Sequence, residues 1–203
     1  ADGQLKALWI ACPTPAQSMP DQKPVRRAFE RADFVIVQEA FETAATCELA
    51  DLLLPASTWG EKEGTVTNSE RRITRVRAAV PPAGQARHDW QIACDIGQRL
   101  AVALDRAQDA RLLAYTSPEA VWNEHRESTR GRDLDITGLS YGQLEQAPAQ
   151  WPQAEGSAQG QARLYTDGRF ATPDGRARFA AVRWESVAEE RVSQFPFSLT
   201  TGR

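Results

Sequence analysis

One short segment of this chain concentrates residue types that bind small polar ligands. Residues 58–68 read Thr-Trp-Gly-Glu-Lys-Glu-Gly-Thr-Val-Thr-Asn. Gly60 and Gly64 let a ligand approach the backbone closely, because neither residue carries a side chain. Neutral donors and acceptors that suit the edge of a heterocycle follow at Thr65, Thr67 and Asn68. We therefore predict a ligand-binding loop here, with a charged surface turn as the alternative.

Acid–base or metal chemistry has little support in the sequence. Glu61 and Glu63 could form a carboxylate pair for proton transfer, but a loop does not fix their geometry. The chain has only two histidines, His88 and His125, which argues against a histidine-based triad or zinc site. The sequence also lacks the short motifs of phosphate loops, serine hydrolases and zinc proteases. Three cysteines, spaced too widely for a paired metal motif, are expected to be reduced and buried: Cys12, Cys47 and Cys94.

The charge of the chain excludes some classes of partner. A net charge of −3 at pH 7 argues against a nucleic-acid-binding protein. Five arginines and no acid occupy residues 71–87, a strip that could face an anionic ligand or a neighbouring domain. A solvated strand face is the alternative. Because the sequence contains neither a membrane-length apolar run nor a signal-peptide pattern, we expect a soluble, cytoplasmic chain without membrane partners.

Three short apolar runs predict the strands that position the ligand-binding loop. Residues 5–11, 33–38 and 51–55 are apolar without strict alternation, which is typical of strands buried on both faces. A helix is predicted between the first two runs, capped by Asp21, and a shorter one between residues 39 and 50. This order predicts an α/β fold with a Rossmann-like parallel sheet. Ligands bind at the carboxyl ends of such strands, hence at residues 12–17, 38–43 and 55–65.

Further elements follow this sheet. Residues 64–80 are predicted to be extended, Asp89 to cap a long helix that covers the sheet, and Ser117 to cap another. We predict that residues 1–146 form the α/β domain and residues 147–162 a loop. Residues 163–203 are predicted to form a β-hairpin, with its turn at residues 172–175, and the first strand of a further domain, at residues 197–203.

Several segments of the chain resemble one known protein family. Residues 56–72, preceded by Ala-Asp-Leu-Leu-Leu-Pro at residues 50–55, closely resemble the molybdopterin oxidoreductase family, which includes nitrate reductases and formate dehydrogenases. Residues 17–21, 37–41 and 199–203 agree in order and spacing. The sequence around Trp59 and the sequence of residues 164–179 most resemble those of bacterial assimilatory nitrate reductases.

The resemblance implies a fragment of a longer enzyme, comprising its third domain and the start of its fourth. In the family, that domain binds one of two molybdopterin guanine dinucleotides at the carboxyl edge of its strands. The iron–sulfur cysteines of a 4Fe-4S cluster and the residue that ligates molybdenum would lie elsewhere, so no catalytic or metal-ligating residue is expected here. By position, the cofactor edge would comprise Thr14, Pro15, Gln38, Glu39, Thr46, Glu63, Gly64, Thr65 and Asn68, approached by Thr201, Gly202 and Arg203.

The contacts that the resemblance implies follow from side-chain chemistry. Glu39 and Glu63 suit the N–H donors of guanine, whereas backbone amides and arginine suit phosphate. The sequence departs from the family pattern in two places, because Thr14 replaces a usual Asn and residues 44–46 read Ala-Ala-Thr where Thr-Glu-Thr is usual. Residues 63–68 are therefore the best supported part of the edge.

The resemblance implies a molybdenum enzyme that reduces nitrate to nitrite, with this fragment inactive by itself. Its partners would be the remaining domains of the same polypeptide and an electron-donor protein or subunit. A formate dehydrogenase of the same family is the first alternative. A non-catalytic scaffold, as in large subunits of NADH dehydrogenase, is the second, and it predicts a degraded cofactor loop, whereas residues 63–68 look intact. A free-standing small-molecule-binding module is the third.

Overall fold

The computed structural model describes residues 3–12, 14–187 and 190–199. It contains two three-stranded sheets with short helices around them. The strands are β1 (Ala7–Ala11), β2 (Phe34–Glu39), β3 (Leu52–Pro55), β4 (Gly64–Thr67), β5 (Arg72–Val76) and β6 (Ala149–Gln150). The α-helices are α1 (Pro15–Ser18), α2 (Gln22–Glu30), α3 (Asp89–Ala103), α4 (Pro118–Glu127) and α5 (Tyr141–Gln146). Three 3-10 turns occupy Cys47–Leu49, Trp59–Glu61 and Ala107–Leu113.

The first sheet confirms the predicted parallel α/β arrangement. Its strand order is β1-β2-β3, and every pair is parallel, with Ala7 opposite Phe34 and Ile36 opposite Leu52. The central strand β2 contributes Val35 and Val37, which are almost completely buried. These valines pack with Ile10, with Phe29 of α2 and with Cys47. The prediction of strands buried on both faces is wrong for β1 and β3, because Trp9, Leu52 and Leu53 are exposed. The buried side chains of this sheet come mainly from the central strand β2.

The second sheet is antiparallel, with the order β4-β5-β6. The predicted extended segment at residues 64–80 is confirmed as the hairpin of β4 and β5. A separate core lies against it, and α4 and α5 contribute to this core. Its buried residues are Ile73, Trp122, Ile136, Leu139, Tyr141 and Leu144.

The helices begin close to their predicted positions. Asp21 precedes α2 without capping it through its side chain, and its backbone is left-handed at φ 51°. Ser117 caps α4, as predicted, because its Oγ accepts a hydrogen bond from the Ala120 amide at 3.1 Å. Asp89 is the first residue of α3 and not its cap, which is His88.

The prediction that α3 covers the sheet is wrong for most of its length. Its main partner is the turn Ala107–Leu113, where the Gln98 side chain donates to the Leu113 carbonyl at 2.8 Å. Leu100, predicted to lie on the packed face, is half exposed. The sheet therefore contacts α3 at its N-terminal end through Asp89, and Ile92 near this end is buried, whereas Leu100 and Leu104 farther along the stripe are exposed.

Residues 147–162 are less loop-like than predicted. Ala149 and Gln150 form β6 and pair with β5, and Gln153 is buried. Arg71 fastens this segment to the second sheet by donating to the carbonyls of Trp151, Gln161 and Ala162. Backbone hydrogen bonds and close packing thus order a segment whose Ala/Gln/Gly composition predicted a plain loop.

The predicted C-terminal hairpin is corrected to a turn without strands. The Phe170 amide donates to the Gly175 carbonyl at 2.9 Å, which closes the expected turn. No strand flanks this turn within the described part of residues 163–199, where Val192 and Phe195 form an isolated bridge. Phe179 and Val182, on the predicted second strand, are almost fully exposed. Without a facing apolar surface, the segment does not gain the side-chain packing that stabilises a hairpin.

Two further predictions concern the strand at residues 197–203 and membrane-spanning segments. Phe197 to Leu199 are exposed and not paired as a strand, while the rest of the predicted strand, including Thr201, Gly202 and Arg203, lies outside the described residues. Within the described ranges, no helix is long and apolar enough to cross a membrane.

Candidate functional site

Two adjoining clefts lie beside the carboxyl ends of β1, β2 and β3. The first cleft, of about 470 Å³, is lined by residues that include Cys12, Gln38, Glu39, Trp59, Lys62 and Asp89. The second cleft, of about 270 Å³, is lined by Glu63, Gly64, Thr65, His88 and others. Trp59, Lys62 and Asp89 line both clefts, and we call these three residues the ridge. The edge predicted from strand order therefore contains space for a ligand.

Asp89 reaches this edge because the chain before α3 is attached to the end of β3. The Arg87 amide donates to the Pro55 carbonyl at 3.1 Å, and the Ser57 amide donates to the Arg87 carbonyl at 2.9 Å. The Ser57 hydroxyl also lies 3.0 Å from Nδ1 of His88. These contacts place the first residue of α3 opposite Gln38 of β2.

A hydrogen-bonded network joins Gln38, Asp89 and Lys62. The Gln38 Nε2 atom donates to Asp89 Oδ1 at 2.8 Å, and Lys62 Nζ donates to Asp89 Oδ2 at 2.8 Å. Burial by itself would raise the pKa of Asp89, but the hydrogen bonds from Lys62 and Gln38 outweigh it, so that the pKa lies below its ordinary value. Asp89 is therefore a carboxylate at neutral pH.

This network leaves one buried acceptor at the cleft. Gln38 is only 2 % exposed, and its Oε1 atom has no hydrogen-bond partner among the described residues. The carboxylate of Asp89 accepts hydrogen bonds and donates none, so the amide must turn its NH₂ group toward Asp89 and keep Oε1 for another donor. Because an unsatisfied buried acceptor is unfavourable, this position suits a ligand N–H group.

Cys12 also lines the first cleft but does not provide a reactive thiolate. Its Sγ atom lies 3.9 Å from Asp89 Oδ1. Burial and the negative charge of Asp89 raise the pKa of the thiol. All three cysteines are free, and Cys47 and Cys94 are buried as predicted, whereas Cys12 is exposed, contrary to the prediction. The left-handed backbone of Cys12, at φ 73°, turns the chain at the end of β1.

The predicted residues of the first two loops have different surroundings. Glu39 lines the first cleft, and its Oε1 accepts a hydrogen bond from the Ala40 amide at 2.7 Å. Thr46 is fully buried, and its hydroxyl accepts from the Ala16 amide at 3.3 Å, which anchors α1. The residues that line either cleft, within the described chain, do not include Thr14, Pro15 or Thr46.

Residues 63–65 lie at the second cleft, as the loop prediction requires. The Glu63 carboxylate accepts from Arg75 Nη2 at 3.4 Å, and the Gly64 carbonyl accepts from Arg75 Nη1 at 3.1 Å. The guanidinium carbon of Arg75 lies 3.8 Å from the ring centroid of the buried Tyr141. Arg75 thus connects this side of the cleft to the core of the second sheet.

Asn68 lies at the opposite end of β4 and stabilises a turn. Its Oδ1 accepts from the Glu70 amide at 2.9 Å and from the Arg72 amide at 3.0 Å. It is not among the described residues that line the two clefts. Its predicted contact with a cofactor stays a prediction, and the structure gives the side chain a local structural role.

Glu61 is also occupied by local structure. Its Oε2 accepts from the amide and the hydroxyl of Thr58, at 2.7 and 3.0 Å. These hydrogen bonds lower the pKa of Glu61. A carboxylate held in the charged form by its own turn is a poor general acid, so the pairing of Glu61 with Glu63 for proton transfer has no support.

The arginine strip is neutralised within the chain. Ion pairs join Arg72 to Glu70, Arg75 to Glu63, Arg77 to Glu145 and Arg87 to Asp95. Arg71 donates to three carbonyl groups. Among the described residues, the lining of the two clefts includes Lys62 and no arginine. The strip therefore holds together neighbouring segments of this chain.

The sequence predicts part of the ridge, because Trp59 and Lys62 belong to the predicted ligand-binding loop. It does not predict Asp89 at this edge, since Asp89 is expected only as a helix cap. Asp89 lies 51 positions from its partner Gln38, so no local pattern links the two. The described residues contain no group of three or more His, Cys, Asp or Glu side chains that could hold a metal ion.

The fold and the clefts define an α/β unit with two clefts at the carboxyl edge of its parallel sheet, and comparisons give its family. Residues 1–99 match the family model described as molybdopterin oxidoreductase. The chain is 40 % identical over 205 residues to the assimilatory nitrate reductase catalytic subunit of Bacillus subtilis, covering 100 % of this chain and 28 % of that protein. It is 37 % identical over 199 residues to the F420-dependent formate dehydrogenase subunit alpha of Methanocaldococcus jannaschii, covering 98 % of this chain and 28 % of that protein.

The chain therefore belongs to the molybdopterin oxidoreductase family, as the resemblance implied. A solved structure supports the fold. Acetylene hydratase from Pelobacter acetylenicus superimposes with a TM-score of 0.56 over 84 % of this chain and 21 % of the larger one, at 20 % identity. The chain spans 28 % of the length of the two relatives named above.

Proposed function

We propose that this chain is the part of a molybdenum oxidoreductase that holds the guanine end of a molybdopterin guanine dinucleotide. The observation that carries the proposal is the buried, unpartnered Oε1 of Gln38, a residue that lines the first cleft. Guanine presents two adjacent donors, N1–H and N2–H, to such an acceptor, whereas adenine presents one donor, its N6 amino group, beside the acceptor N1. Family membership supports a molybdenum–pterin cofactor, and the amide chemistry supports its guanine dinucleotide form.

Charge supports binding of the base, and not of the phosphates, at this edge. Glu39, Glu63 and Asp89 contribute three carboxylates to the two clefts, against one ammonium group from Lys62. Phosphate would be repelled there, while the donor edge of a neutral base would be attracted. The role of these residues is to bind and orient the cofactor, whose metal supplies the redox chemistry.

The proposed activity of the whole protein is reduction of nitrate to nitrite in the cytoplasm, with a 4Fe-4S cluster and a second dinucleotide held by other domains. An electron-donor protein or subunit would supply two electrons for each nitrate. The identity to the Bacillus subtilis nitrate reductase subunit supports this choice. Formate oxidation is the second candidate, because the Methanocaldococcus jannaschii relative is named as a formate dehydrogenase subunit.

Two measurements on the longer protein that carries this chain test the proposal. Purified protein is expected to contain molybdenum and to release GMP on acid hydrolysis, and Gln38→Leu is expected to lower both contents while the protein stays folded. Gln108→Leu, the same change at an exposed glutamine that lines neither cleft, is the control. Absence of GMP from the wild-type protein would contradict the proposal.

Turnover of nitrate but not formate would select the first activity, and the reverse would select the second.

A further inference from the structure

Trp59 occupies an unusual position for a large aromatic residue. It lies in the turn Trp59–Glu61, which begins four residues after the last residue of β3, and is 62 % exposed. Single exposed aromatic residues are common on protein surfaces and need no explanation by themselves. Trp59, however, belongs to the ridge and therefore borders both clefts.

The turn that carries Trp59 is held by hydrogen bonds on both sides. Glu61 accepts from the amide and hydroxyl of Thr58, at 2.7 and 3.0 Å. The Gly60 carbonyl accepts from the amides of Ala79 and Val80, at 2.7 and 3.1 Å. The backbone is therefore fixed before a ligand arrives, which reduces the entropy lost when a ligand contacts the ring.

The indole is also oriented by a charge. Lys62 Nζ lies 5.5 Å from the ring centroid of Trp59, within the range of a cation–π contact. The same ammonium group donates to Asp89 at 2.8 Å, and Asp89 accepts from Gln38. One network thus connects the exposed aromatic ring with the amide whose Oε1 is unpartnered.

We propose that Trp59 is the stacking platform for the base whose donor edge faces Gln38 Oε1. The inference rests on the proposed function and extends it by one specificity-determining residue. An aromatic ring contributes affinity for a planar heterocycle but does not distinguish among bases, whereas a fixed acceptor favours the base that presents two adjacent donors. Trp59 therefore supplies affinity, and Gln38 supplies the preference for guanine.

The test is a titration of the isotopically labelled chain with GMP, followed by NMR at millimolar nucleotide. The indole N–H of Trp59 is expected to shift with saturation, together with the side-chain amide of Gln38. Trp59→Ala is expected to weaken GMP binding by a factor of about 5 or more, because base–aromatic stacking contributes about 1–3 kcal/mol. Trp59→Phe keeps an aromatic ring and should retain part of the affinity. Trp184→Ala, at a tryptophan that is 85 % exposed and not part of the ridge, is the control.

Each outcome decides a different point. Saturable shifts at Gln38 with unchanged affinity in Trp59→Ala would overturn the role of Trp59 and leave the proposed cleft in place. An equal loss of affinity in Trp184→Ala would also overturn it, because that residue is not part of the ridge. If neither Trp59 nor Gln38 shifts, both the stacking role and binding of guanine at this edge are contradicted. Equal affinity for AMP would contradict the guanine preference assigned to Gln38.

Discussion

At the scale of single residues, Asp89 determines which side-chain atom of Gln38 stays without a hydrogen-bond partner. The carboxylate accepts from the Gln38 amide and from Lys62, both at 2.8 Å. Its lowered pKa keeps it charged at neutral pH. A neutral side chain at position 89 could donate a hydrogen bond instead, and the amide of Gln38 could then rotate. The acceptor at the cleft thus depends on a charge in a different element.

We predict that Asp89→Asn lowers the free energy of unfolding by about 1–2 kcal/mol at neutral pH, since a largely buried ion pair with Lys62 and a charged hydrogen bond are lost. A folded-state pKa below the ordinary value stabilises the fold above the ordinary aspartate pKa of about 3.9. This contribution is lost as the pH falls through the lowered pKa. Urea denaturation across this range should show the difference between the two proteins shrinking below about pH 4.

Asp33→Asn is the matched control for this prediction. Asp33 pairs with Lys6 at 3.3 Å, and both side chains are well exposed. Exposed pairs contribute little to stability, so its removal should leave the unfolding free energy nearly unchanged. A difference between Asp89→Asn and wild type that stays constant through the acid range would contradict the assigned role of the carboxylate.

Thr46 gives a second prediction at this scale. Its fully buried hydroxyl accepts from the amide of Ala16, which is also buried. Thr46→Val keeps the shape but leaves that amide unsatisfied, and we expect a loss of about 1–2 kcal/mol in the free energy of unfolding. Chemical denaturation measures it, with the exposed Thr43→Val as control, expected within about 0.5 kcal/mol of wild type. Equal stability of the two variants would show that the hydroxyl does not anchor α1.

At the scale of elements, the second sheet is closed by contacts that are distant in sequence. Strand β6 has only two residues and pairs with β5. The chain after it is fastened by Arg71, whose guanidinium donates to Gln161 and Ala162 at 3.1 and 2.9 Å. Arg71 therefore donates hydrogen bonds to carbonyl groups that lie beyond the two-residue strand β6.

We predict that Arg71→Ala exposes residues 151–162 to solvent exchange. Loss of the guanidinium leaves three carbonyls without their donor, and a local loss of about 1.5 kcal/mol corresponds to roughly tenfold faster amide exchange in this segment. Hydrogen exchange read by mass spectrometry measures it. Arg72→Ala removes only an exposed pair with Glu70 at 3.3 Å and should leave the segment protected. Unchanged protection in Arg71→Ala would contradict the anchoring role.

The contrast between the two sheets explains what the sequence could predict. The first sheet follows from apolar runs that each fill one strand, with a helix or a turn between neighbouring strands. The third strand of the second sheet and the ridge depend on partners far along the chain, such as Gln38 with Asp89, and no local periodicity reports such pairs. The C-terminal hairpin fails for a related reason, because a turn signal at residues 172–175 does not supply an apolar surface for its strands.

The residues of the candidate site could likewise be predicted only in part. Strand order predicts the carboxyl edge, and the loop sequence adds further residues to it. The residues placed there, 38, 39 and 63–65, line the two clefts. Asn68 and Thr46 have the same polar residue types, but their hydrogen bonds hold a turn and a helix. Residue type alone does not separate a side chain that faces a ligand from one that satisfies a neighbouring amide.

At the scale of the whole molecule, the chain holds only part of the surroundings expected for a dinucleotide. It spans 28 % of the length of its nitrate reductase and formate dehydrogenase relatives. The first cleft, of about 470 Å³, accommodates a base, and the carboxylates around it disfavour phosphate. High affinity for the complete cofactor therefore requires contacts beyond these residues.

We accordingly predict that the chain by itself binds GMP weakly, in the millimolar range that NMR detects, and that calorimetry gives little or no heat at micromolar protein. The physical reason is that one stacked ring and one accepted hydrogen bond must offset the entropy of immobilising the nucleotide. A submicromolar dissociation constant would contradict this view of the clefts and would indicate a complete nucleotide site within the 203 residues.

The central claim is that the guanine base of the cofactor lies in the first cleft. The most direct measurement is an experimental structure of the longer protein purified with its cofactor. We predict that the base stacks on Trp59 and that Gln38 Oε1 accepts from guanine at about 2.9 Å. A structure in which the base lies away from this cleft, with Gln38 Oε1 facing only water, would contradict the claim.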